Sequence, residues 1–180
     1  MWQGDPMAEQ IEELTIRAAG PGDAAAIATV HVRSWQEAYA GIVAGDYLAS
    51  LDAADWTQRW EQHLRDAEDD EIRTWIAQDG TRTLGFASLG PSRDEDAARG
   101  DLEVYSIYLE PGAWGHGVAR EIMRTLINEA GEQTTLTLWV LAANERARHF
   151  YRRHGFQPDG VERYERVGGE ELLEVRFRRG

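Results

Sequence analysis

Cysteine is missing altogether from the 180 residues. That excludes a disulfide framework, a thiolate metal site and a cysteine nucleophile. Lysine is missing too: all nineteen cations are arginine, so no phosphate-binding loop built around a lysine is available. No apolar run approaches the length of a bilayer span, and the opening MWQGDPMAEQ has neither the basic end nor the apolar stretch of a signal peptide. A positive excess is lacking as well. The net charge is −13, which argues against nucleic acid, whose phosphates need a basic face. These absences describe a soluble cytoplasmic protein with no membrane and no nucleic-acid partner.

The composition that remains is globular, with 42% hydrophobic and 28% charged residues. The length suits one domain with a sizeable core. The charge is uneven: residues 1–100 carry eight arginines against nineteen carboxylates, and residues 101–180 eleven against thirteen. An acidic half favours the approach of a cationic substrate and also serves solubility.

The chain punctuates itself clearly. Residues 1–13 read as a flexible polar tail, and residues 14–180 as the domain. LTIRAA from Leu14 is a strand. Asp23 is placed to cap a helix that carries Ile27, Val30, Ser34, Trp35 and Ala38 on one face. A turn-rich connection with a short helical piece follows, then a helix through Trp56, Trp60 and Leu64. Asp79-Gly80 joins two strands as a hairpin. Residues 93–100 form a charged loop, and Leu102 to Glu110 a strand ended by Pro111-Gly112. An amphipathic helix through Val118, Ile122 and Leu126, a strand over TTLTLWVLA, a helix from Asn144 to His154 and two closing strands complete the order. It predicts a single α/β domain around a mixed, mostly antiparallel sheet. The strand–helix–strand unit through Gly115 should cross over right-handed and set two neighbouring strands in parallel.

EPGAWGHGVAREIM, from Glu110, opens the backbone between a strand and a helix start, a place suited to an anion. A lysine-bearing phosphate loop fails, because Ala119-Arg120 stand where Lys-Ser belongs. A dinucleotide fingerprint fails too: its third glycine is Arg120, and the loop lies past mid-chain. WGHGVA matches Q/R-x-x-G-x-G/A at every place but the first, and NERARHFYRRHGF, from Asn144, meets N-x-x-A-x-x-F/L-Y-x-x-x-G-F in full.

On these two motifs the chain resembles the GCN5-related N-acetyltransferase superfamily from about Leu14 to Arg178. The resemblance implies acetyl-CoA as cosubstrate and a primary amine, of a small molecule or a peptide, as acceptor. The cosubstrate would lie in a splay between the fourth and fifth strands. Its pyrophosphate would meet the main chain of Trp114, Gly115, His116, Gly117, Val118 and Ala119, with Arg120 one step beyond. Its pantetheine arm would run beside Ile107, Tyr108 and Leu109, with the Ile107 N–H polarising the thioester carbonyl. Asn144 would cap its helix and bond the pantetheine amides.

Tyr151 matches the general acid that returns a proton to the CoA thiolate. A phenol, with a pKa near 10, stays protonated where a thiol does not. Glu103 sits where one branch of the family keeps its base, with a water relay as the rival; other branches place a Glu where this chain has Trp139. Acceptor selection would fall to the first helices, with Trp35 and Tyr39 as walls and Tyr47 beside them. The histidines show no metal-ligand spacing, so no metal is expected. The resemblance also allows a homodimer, and a non-catalytic acyl-CoA sensor is the alternative to an enzyme.

Overall fold

The computed structural model describes residues 11–67 and 69–180. Most of the expected tail therefore lies outside the described residues. Residues 11–13 are held in place: the backbone N–H groups of Glu12 and Glu13 donate to the Asp79 carboxylate at 3.3 and 3.0 Å.

Seven strands form one sheet: β1 (Leu14–Ala18), β2 (Arg73–Asp79), β3 (Arg82–Pro91), β4 (Leu102–Leu109), β5 (Leu136–Leu141), β6 (Gln157–Val167) and β7 (Glu170–Arg179). Their spatial order is β1-β2-β3-β4-β5-β7-β6, so β4 is central. Neighbours are antiparallel except β4 and β5. Those two are joined by the crossover helix α4 (Val118–Ala130) in the list α1 (Ala24–Ala38), α2 (Gly45–Ser50), α3 (Ala53–Asp66), α4 and α5 (Glu145–Arg153). Element order and parallel pair both agree with the sequence expectation.

Both faces of the sheet are covered, which is why Thr74 to Ala77 on β2 are buried without alternation. Ile76 and Phe86 meet α1 and α3 through Ile27, Val30, Trp60 and Leu64. On the other face Trp75, Ala77 and Ala87 pack on Ile122, Met123 and Leu126 of α4 and on Tyr151 of α5. Truncating a fully buried ring such as Phe86 to Ala should cost about 3–5 kcal/mol.

Asp23 does stand at the start of α1, but its side chain caps no amide of that helix. Instead its carboxylate accepts from the Gly20 N–H at 2.8 Å and from both terminal nitrogens of Arg17. The stronger charged donor wins the carboxylate. Asp52 does cap α3, accepting from the Ala54 and Asp55 N–H groups.

Between α1, α3 and the sheet lies His31, 7% exposed and ringed by Trp35, Trp56, Trp60, Phe86 and Tyr108. Trp60 Nε1 donates to its Nδ1 at 3.2 Å, which assigns the ring proton to Nε2. Burial lowers the pKa from 6.5 to about 4. The unfolded chain therefore binds a proton below pH 6.5 that the native chain refuses until pH 4. Stability contributed by neutral His31 is present above pH 6.5 and falls as the pH drops, by about 2–3 kcal/mol at pH 4.5. Denaturant unfolding at pH 7 and 4.5 should show a smaller acid loss for His31→Gln than for the wild type, and parallel losses would contradict the assignment.

Candidate active site

The site begins where a strand pair ends. Beta-strands β4 and β5 are in register only at Leu102↔Leu136 and Glu103↔Thr137; from Val104 onward they part. On its other side β4 stays paired with β3 as far as Leu109, with a register shift that leaves Tyr105 without an opposite residue. Such a bulge bends a strand and re-aims its neighbours. Backbone groups along the parted stretch need a partner other than β5. The gap opens into a cleft of about 1200 Å³.

At one end of the cleft lies the glycine loop. Pro111–Ala113 form a single 3-10 turn, Trp114 is extended, and Gly115 and Gly117 take φ of 84° and 83°. These left-handed values suit glycine, which adopts them without steric cost. A Cβ on Gly115 would meet nothing within 4 Å, so the approach is open. Gly117 caps α4 with no side chain, leaving the first N–H groups of the 13-residue helix facing the cleft. Gly115, Gly117, Val118, Ala119 and Arg120 all border the cleft; the exposed His116 side chain does not.

Ile107, Tyr108 and Leu109 form the β4 wall and Val140 and Leu141 the facing β5 wall. Tyr151 comes in from α5, 9% exposed, against Phe150, Phe156 and Phe177. Burial pushes its phenol well above 10, and Tyr108 adds to the shift. Asn144 is the cap of α5, its side-chain oxygen accepting from the Ala147 N–H at 3.1 Å. The amide NH₂ carries two donors available to a ligand.

Glu103 is 2% exposed on the central strand. Its Oε2 accepts from the backbone N–H and Nε of Arg93 at 3.2 Å each, and Oε1 accepts from Nη2. Arg93 also lies over the Tyr105 ring at 4.0 Å. Sequence reasoning put Glu103 on a central strand but missed this partner, because residue 93 falls in a loop ten positions away. Trp139 turns its indole N–H to Asp94 at 3.0 Å.

Trp35 and Tyr39 stand together on the first helix and its C-terminal cap, ring centroids 4.9 Å apart, and both border the cleft. Burial, then the neighbouring Tyr108, raise the Tyr39 phenol well above 10. Tyr47 departs from expectation: it packs under Gly168 in a small cluster with Val43 and Leu48, away from the cleft. Charged residues that sequence reasoning did not bring to this site include Glu37, Arg163 and Glu174; the last two pair at 2.7 Å. Their convergence depends on sheet order, which no local pattern records. No group of three metal-ligating side chains occurs among the described residues. No helix among them is long and apolar enough to cross a membrane.

The fold and the sequence have counterparts in known proteins. The model of the acetyltransferase (GNAT) family matches residues 30–156. YuaI, an uncharacterized N-acetyltransferase of Bacillus subtilis, is 30% identical over 90% of each chain. Among solved structures, the ribosomal-protein-alanine N-acetyltransferase of Brucella melitensis superposes with a TM-score of 0.73 at 24% identity, covering 92% of this chain and 98% of that one. The PaiA N-acetyltransferase of Thermoplasma acidophilum, solved with coenzyme A, gives 0.72 at 18% identity over 93% and 99%. The two structural likenesses establish the fold, and the family match with the sequence relative establishes the lineage. The chain belongs to the acetyltransferase (GNAT) family and is an acyltransferase.

Proposed function

We propose that this enzyme moves an acetyl group from acetyl-CoA to a primary amine by direct attack, with no acyl-enzyme. The observation that carries the reading is the parted β4–β5 pair with the N-terminus of α4 at its end. A pyrophosphate suits the helix start, and an extended amide-bearing arm suits a strand edge without a strand partner. Acetyl-CoA supplies the activated thioester.

The chain's own groups then divide the work. The Ile107 N–H is assigned to the thioester carbonyl oxygen, where a fixed donor is worth most as negative charge develops. Tyr151 is assigned as the acid. Burial holds its phenol above the ordinary value, so it is protonated at neutral pH and can pass a proton to the departing thiolate. Asn144 offers its NH₂ to the arm.

Glu103 is assigned as the base, acting through water. Both of its oxygens already hold Arg93, and at 2% exposure the acceptor amine cannot reach it directly. The acceptor enters past Trp35 and Tyr39. Aromatic walls and the nearby Glu37 support an amine that carries positive charge, on a small molecule or a peptide.

The test is thiol release from acetyl-CoA across polyamines, aminoglycosides, amino acids and short peptides; the absence of cysteine keeps the background low. Amine-dependent release supports the enzyme. Silence with every amine, while acetyl-CoA still raises the melting temperature, favours an acyl-CoA sensor instead.

Two variants examine the residues. Tyr151→Phe should lower kcat by about 10²-fold or more, with the KM for acetyl-CoA little changed. Because burial raises the Tyr151 pKa, wild-type kcat should show no falling limb below pH 10. A falling limb near pH 9 that disappears in Tyr151→Phe would contradict the raised pKa, and wild-type kcat in Tyr151→Phe would remove Tyr151 from the role. Glu103→Gln should depress kcat/KM at neutral pH and recover by about tenfold per pH unit toward the pKa of the amine, where no base is needed. Wild-type turnover at pH 7 in that variant would sink the assignment.

A further inference from the structure

Position 114 is where this chain leaves its family's pattern: Gln or Arg is usual there, and here it is Trp114. The structure shows what accompanies the change. The guanidinium of Arg146, from α5, lies 3.8 Å from the centre of the Trp114 ring, and both residues border the cleft beside Gly115 and Gly117. The indole is a flat platform that holds a planar cation at one angle.

Three features leave that cation unanswered within the chain. Among the described residues Arg146 makes no ion pair, whereas its neighbour across the loop, Arg120, is paired with Glu121 at 3.1 Å. Burial against its surroundings lowers the Arg146 pKa, and no carboxylate offsets the effect. Arg146 is also the second residue of α5, at the end of a helix where the dipole opposes positive charge. An anion at the mouth of the cleft would answer all three.

We propose that Arg146, seated on Trp114, is the side-chain contact to the CoA pyrophosphate, replacing the one usually made from position 114. This rests on the acetyl-CoA reading above. The positive charge has moved from the loop to α5, and the tryptophan aims it back at the cradle. The main chain of Gly115 to Ala119 and the Arg146 guanidinium then take the pyrophosphate from two sides, with N–H donors throughout. A charge-assisted contact of this kind is bidentate-capable and carries a large share of phosphate affinity.

Calorimetric titration of CoA and of dephospho-CoA, which lacks the 3′-phosphate, decides the matter without any acceptor. Arg146→Gln should weaken both ligands about ten- to hundredfold and by the same factor. The unliganded melting temperature should fall only slightly, since the variant loses one cation–π contact and no ion pair among the described residues. Restoring an arginine in the loop, Trp114→Arg on the Arg146→Gln background, should recover most of the loss. Equal affinity in wild type and Arg146→Gln overturns the proposal. A loss confined to CoA, with dephospho-CoA unaffected, moves Arg146 to the 3′-phosphate and overturns the pyrophosphate assignment. No recovery in the double variant overturns the claim that residue 146 stands in for position 114. If the wild type itself binds neither ligand, the acetyl-CoA reading falls first and this one with it.

Discussion

Two parallel strands that agree at one end and separate at the other set everything else in this molecule. Beta-strands β4 and β5 meet at Leu102 and Glu103 and nowhere further along. Full pairing would close the sheet and leave no cleft. Complete separation would split the core that runs beneath both strands through Leu136, Leu138 and Val104. The parting therefore has to begin at a defined place, and the unpaired Tyr105 beside the pinned Glu103 marks it. Beyond that point the unpaired backbone has unmet hydrogen-bonding capacity, and a cleft wall becomes a binding surface.

Charge holds the far side of the opening. The charged loop between β3 and β4 is pinned at both ends of a short acidic run. Arg93 grips Glu103, and the buried Arg176 of β7 binds Asp94 at 3.2 Å, Asp96 through two nitrogens, and Asp159 at 2.7 Å. Trp139 lies between, donating to Asp94 while Arg163 covers its face at 4.1 Å. Trp139 is thus an indole wrapped in carboxylate–arginine contacts. The desolvation cost of Arg176 is offset only because several acceptors meet it at once.

The opposite wall is built from aromatic contact. His31 stacks on Tyr108 with ring centroids 5.0 Å apart, Tyr108 reaches Trp35, and Trp35 meets Tyr39. One face of this chain of rings belongs to the core between α1 and the sheet, and its other end is the cleft. Cleft-facing residues are therefore continuous with the packing that stabilises the fold. That continuity limits how far Trp35 or Tyr39 can be changed without cost to stability.

By itself the sequence determined what local periodicity and turn chemistry record. The Asp79-Gly80 turn between two strand-like runs specified a hairpin, the 3.6-residue spacing from Val118 specified α4, and the glycines at 115 and 117 specified an exposed helix start. Two short motifs at the right separation were enough to recognise the family, because each holds residues whose job is local: backbone opening in one, helix cap and buried phenol in the other. What the tertiary structure alone decided are meetings between elements. Asp23 turned from its helix to Arg17, Tyr47 turned from the cleft to Gly168, Arg93 closed on Glu103, and Arg146 settled on Trp114. Each joins side chains whose distance depends on strand order and helix placement. A charged or aromatic group takes the strongest partner within reach, and only the folded chain defines that reach.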